Sequence, residues 1–94
     1  MSTDDAFYGY LAGQFSDSDL LGQTDDQAAV DGISTETRAA YQEALGQGRA
    51  VLATSPLPWQ RIGDYANRHF SNESEARHWL KQMLDLLEGA LTKL

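Results

Sequence analysis

The run Asn72-Glu73-Ser74-Glu75-Ala76-Arg77-His78-Trp79-Leu80-Lys81-Gln82-Met83-Leu84-Asp85-Leu86-Leu87-Glu88-Gly89-Ala90-Leu91 reads as one amphipathic helix. Ala76, Trp79, Leu80, Met83, Leu87, Ala90 and Leu91 recur at steps of three and four, so they share one face. Asn72, followed three residues later by Glu75, supplies a cap pair at the start. No stretch of the chain shows the strict alternation that a half-buried strand needs. The pattern predicts an all-α fold.

Working back from that helix, Ser55-Pro56-Leu57-Pro58 is a stop, because Pro56 disfavours helical geometry at Ser55. Pro58 suits the first position of a helix over about 58–69 with Trp59, Ile62 and Ala66 on one face. Before the stop, Ser34 or Thr35 caps a segment over about 35–54 whose apolar side is Ala40, Tyr41, Ala44, Leu45, Val51 and Leu52. Gly46 and Gly48 lower helix propensity there and predict a kink or break. Thr24 and Gln27 make a capping-box pair opening a short helix over about 25–33, closed by Gly32 and Ser34. At the N-terminus Ser2 or Thr3 caps a helix over about 4–14, with Phe7, Leu11 and Phe15 four apart. Between these two helices Ser16-Asp17-Ser18-Asp19 breaks the pattern with turn-forming residues. The expectation is a single-domain bundle of four to five helices over residues 1–94.

At 94 residues there is room for one modest core. The chain has no cysteine, which excludes disulfides, thiolate metal sites and cysteine nucleophiles. No basic-then-apolar leader opens it and no apolar run reaches membrane-spanning length, so a soluble cytoplasmic protein is expected. Formal charge is −7 and the pI is about 4.5, which disfavours direct binding to nucleic acid or an anionic membrane. The distribution is more telling. Residues 1–37 hold eight acids and no Lys or Arg, whereas residues 38–94 hold six acids and all seven bases. Such asymmetry serves either as a solubilising surface or as an electronegative patch that steers a basic partner.

Catalytic and metal-binding patterns fail at specific positions. Asp17-Ser18-Asp19-Leu20-Leu21-Gly22 begins like a calcium loop, but its fifth position is Leu21 and its twelfth is Ala28, where oxygen donors are needed. The same stretch departs from the Asp-Ser-Leu attachment motif of acyl carrier proteins, because Asp19 follows Ser18. His69 and His78 lack metal-pair spacing and read as exposed helix-end residues. Asp25 and Asp26 are adjacent and do not face each other on a helix, so they read as first-turn acids. Trp59 and Trp79 lie on apolar faces and read as packing residues. No enzyme and no cofactor is expected.

The stretch Phe15-Ser16-Asp17-Ser18-Asp19-Leu20-Leu21-Gly22-Gln23-Thr24-Asp25-Asp26 resembles the N-terminal signature of small bacterial contact-dependent growth-inhibition immunity proteins. Asp17, Asp19, Leu20, Gly22, Thr24 and Asp26 match that signature in order. The likeness continues more loosely through Leu52-Ala53 and through Arg77, Trp79 and Leu80. The resemblance implies a monomer that neutralises a toxin domain in a 1:1 complex. The toxin would be basic and most often a nuclease, because an enzyme that grips phosphates needs a basic surface. Asp17, Asp19, Asp25, Asp26, Asp31 and Glu36 are then the acids expected to meet it, with Tyr8, Tyr10 or Phe15 as aromatic anchors. Thr24 reads as a cap, Leu20 as a core plug and Gly22 as a turn residue. The competing expectation is an acidic helical adaptor or regulator, as a homodimer or a nucleic-acid mimic, that binds some other basic protein.

Overall fold

A computed structural model describes residues 4–18 and 20–94, so the expected Ser2 or Thr3 cap and Asp19 lie outside the described residues. The described chain forms five helices and no strand: α1 (Asp5–Phe15), α2 (Asp25–Val30), α3 (Arg38–Leu52), α4 (Trp59–Ala66) and α5 (Glu73–Thr92). It is an all-α bundle. The radius of gyration, 12.4 Å, is that of one compact domain of this length.

Helix α5 follows the periodicity of its sequence. Ala76, Leu80, Met83, Leu84, Leu87 and Leu91 are buried, and Asn72 Oδ1 accepts from Glu75 N at 2.9 Å to cap its start. Burial of such a leucine is the main source of stability, and truncating one to alanine typically costs about 2–5 kcal/mol. Helix α1 supplies the other half of the core. Phe7, Tyr8, Tyr10, Leu11 and Phe15 are all buried, and α1 packs on α2, α3 and α4. Its aromatics face α2, α3 and α4, while Asp5, Gly9 and Gly13 leave one side of α1 exposed.

Three boundaries differ from expectation by three residues, each for a local reason. Helix α2 ends at Val30 because Asp31 is extended, with ψ 137°. Helix α3 starts at Arg38, because Ser34 and Thr37 hydrogen-bond reciprocally: Ser34 N donates to Thr37 Oγ1 at 2.9 Å and Thr37 N to Ser34 Oγ at 3.3 Å. That closed turn holds residues 34–37 out of the helix. Helix α4 ends at Ala66, because Asn67 adopts a left-handed conformation with φ 55°. The expected break at Gly46 and Gly48 is absent, and α3 is continuous. Gly48 is instead a crossing point. A Cβ there would sit 2.8 Å from Leu84 and 3.0 Å from Phe7, so only glycine lets α1 and α5 approach α3 this closely.

The connections are tied back to the helices. Arg77 donates to the Leu52 and Thr54 carbonyls and to Glu73 Oε1, and Glu73 Oε1 also accepts from Leu57 N at 3.0 Å. Arg77 thus ties the end of α3 to the start of α5. No helix is long and apolar enough to cross a membrane among the described residues.

Candidate partner-binding site

Between α1 and α2 the chain turns within a few residues, and backbone hydrogen bonds close the turn. Leu20 N donates to Asp17 O at 3.1 Å, and Gln23 N to Ser18 O at 3.0 Å. Gly22 has φ 72°, the left-handed geometry that glycine adopts without strain, so its turn role holds. Thr24 then opens α2 with a complete capping box: Gln27 N donates to Thr24 Oγ1, and Thr24 N to Gln27 Oε1. Thr24 is thus satisfied locally.

The underside of the turn is held by Arg68, which the left-handed Asn67 directs back from the end of α4. Its Nη2 lies 2.6 Å from Asp25 Oδ1 and 2.8 Å from Ser18 Oγ, and its Nη1 donates to the Phe15 carbonyl at 3.4 Å. Ser18 is buried, and its hydroxyl also bonds Phe15 O. From α5, Trp79 Nε1 donates to Asp25 Oδ2 at 2.8 Å, while its ring packs edge-on against Phe15 with centroids 4.9 Å apart. Partial burial opposes ionisation of Asp25, but the hydrogen bonds from Arg68 and Trp79 and the charge of Arg68 outweigh it. The carboxyl is held below its ordinary value.

The expected contact residues divide sharply in this setting. Tyr10 and Phe15 are core residues rather than anchors. Phe15 is fully buried, and the Tyr10 hydroxyl donates to Ala29 O at 2.7 Å, with burial pushing its pKa up. Tyr8 is buried as well, under the Arg61 guanidinium 4.3 Å from its ring centroid. All three rings are buried in the bundle, so they serve as packing residues. Asp25 is also corrected, since its carboxylate is engaged inside the protein.

Asp17, Asp26, Asp31 and Glu36 are exposed, and among the described residues none of them makes an ion pair. Asp26 accepts a hydrogen bond from Gln82 at 3.1 Å, and Asp31 is fixed through its carbonyl by Gln14 and Tyr41. Because Gln14 is in the last turn of α1, Asp31 stands at the same end of α1 as Asp17. Glu36 lies apart, in the α2–α3 connection. Leu20 is a further correction: it is 86% exposed rather than a core plug, and Leu21 beside it is 71% exposed. The tight turn points both side chains outward while Ser18 takes the inward position.

The rest of the surface has less chemistry. A shallow groove of about 390 Å³ between α1 and α3 is lined by Ala6, Gly9, Tyr41 and Ala44, with Glu43 as its one carboxylate. His69 and His78 are exposed, although His78 sits inside α5 rather than at a helix end. Among the described residues no three His, Cys, Asp or Glu side chains gather closely enough to hold a metal ion. No protein-family model, curated protein or solved structure matches the chain significantly.

Proposed function

We propose that this protein is an immunity-type inhibitor: a cytoplasmic monomer that binds one toxin domain and blocks its basic, phosphate-gripping surface without catalysing a reaction. The observation that carries this reading is the segregation of charge. Four of the bases pair within the protein, Arg49 with Asp85 and Glu88, Arg68 with Asp25, Arg77 with Glu73, and Lys81 with Asp85. Asp17, Asp26 and Asp31 meanwhile stay exposed around one end of α1, with no ion pair among the described residues. Carboxylates so arranged can stand where a nucleic-acid substrate's phosphates would lie, and they accelerate encounter with a basic surface. The resemblance of residues 15–26 to immunity-protein signatures supports the same reading.

The test takes the C-terminal domain of whatever large exported protein is encoded directly upstream of this chain as the candidate toxin, in a protection assay beside binding kinetics at two salt concentrations. Asp17→Lys with Asp26→Lys should slow association at least about tenfold, and the wild-type rate should fall steeply as salt rises. Glu43→Lys with Glu88→Lys should do far less. Equal effects from both pairs, or association indifferent to salt, would refute the reading.

A further inference from the structure

The α1–α2 turn displays the two most exposed large apolar side chains described, Leu20 at 86% and Leu21 at 71%. Their exposure is imposed by the backbone. Leu20 N and Leu21 N both donate to Asp17 O, Gln23 N donates to Ser18 O, and Arg68 grips Ser18 and Phe15 from beneath. The pair cannot fold inward without breaking these bonds, so the backbone holds it outward, and docking has less backbone entropy to remove.

We propose that Leu20 and Leu21 are the apolar anchor of this protein's interface, entering an apolar socket rimmed by Lys and Arg on a basic protein domain. Charge selects that occupant. In sequence the pair lies between Asp17 and Asp19 on one side and Asp25 and Asp26 on the other, and the cation beneath, Arg68, is turned inward to Asp25. A second copy would bring like charges face to face, and an anionic lipid surface would repel the turn. A basic rim around an apolar hole satisfies both features: the acids set the rate of encounter, and the leucines set the lifetime of the complex.

The inference rests on the inhibitor reading, and the experiment separates the two. Leu20→Ser with Leu21→Ser is compared with wild type for thermal melting, sedimentation, flotation with phosphatidylcholine–phosphatidylglycerol vesicles, and binding to the upstream-encoded toxin domain. The expected result is unchanged melting and association rate, with affinity about 30-fold weaker or more through faster dissociation. Equal affinity of variant and wild type overturns the anchor while the charge-based reading stands. A wild-type chain that does not bind the toxin domain at all overturns both. Leucine-dependent dimerisation or leucine-dependent vesicle binding overturns the choice of occupant.

Discussion

Asp25 shows how one side chain of the acidic segment can be engaged within the protein while staying partly exposed. Its carboxylate accepts from Arg68 and from Trp79, so it joins α2 to the end of α4 and to α5. Hydrogen bonds to a charged group of this kind contribute about 1.5–3 kcal/mol. Asp25→Asn should therefore lower stability at neutral pH by roughly that amount, as read by chemical denaturation. The pH dependence follows from the lowered folded-state pKa. The contribution of Asp25 is fully present above the ordinary carboxyl value of 3.8 and is lost as pH falls through the lower folded value. Glu73, lowered by hydrogen bonds from Arg77 and Leu57, and Asp85, lowered by Lys81 and Arg49, titrate in the same sense. The variant should accordingly lose stability less steeply than wild type below about pH 4. Identical acid profiles would show that Arg68 and Trp79 do not hold the carboxylate in solution.

Helix α3 contains two glycines that look alike in sequence and differ in the bundle. Gly46 faces open space, with nothing within 4 Å of a built Cβ, so alanine there gains helix propensity without a clash. Gly46→Ala should stabilise the protein by about 0.5–1 kcal/mol. Gly48 faces Leu84 and Phe7 at 2.8 and 3.0 Å, and an added methyl must displace one of them. Gly48→Ala should be net destabilising by about 1–2 kcal/mol, since overpacking outweighs the propensity gain. Paired melting curves check both signs. Equal stabilisation by the two substitutions would mean that α3 does not cross α1 and α5 so closely.

At the scale of the molecule, net negative charge is a destabilising field as well as, under the proposed function, a guide for a basic partner. The principal extents are 35 × 30 × 24 Å, and at about 10 mM salt the Debye length is about 30 Å, so the acids repel one another across the whole protein. At physiological ionic strength that length falls to about 8 Å and only neighbours interact. The melting temperature should therefore rise by a few degrees, about 4–8 °C per kcal/mol for a domain this size, between those salt concentrations. A fall would mean that the ion pairs of Arg49, Arg68, Arg77 and Lys81 dominate. The same addition of salt should slow binding to a basic domain. One field thus acts with opposite sign on fold and encounter.

Sequence by itself determined the helical class, the face of α5 and the caps at Thr24 and Asn72, because each depends on residues within one or two turns. It also determined the charge asymmetry, which is a matter of counting. Only the tertiary structure decided which residues of the turn face outward. Ser18 goes in and Leu20 comes out, against the usual preference of each, because Arg68, fifty residues beyond Ser18, supplies a partner for its hydroxyl. The engagement of the Asp25 carboxylate likewise depends on Arg68 and Trp79, both more than forty residues away. No local spacing signals such a contact, since its energy exists only once α4 and α5 have packed against α1 and α2.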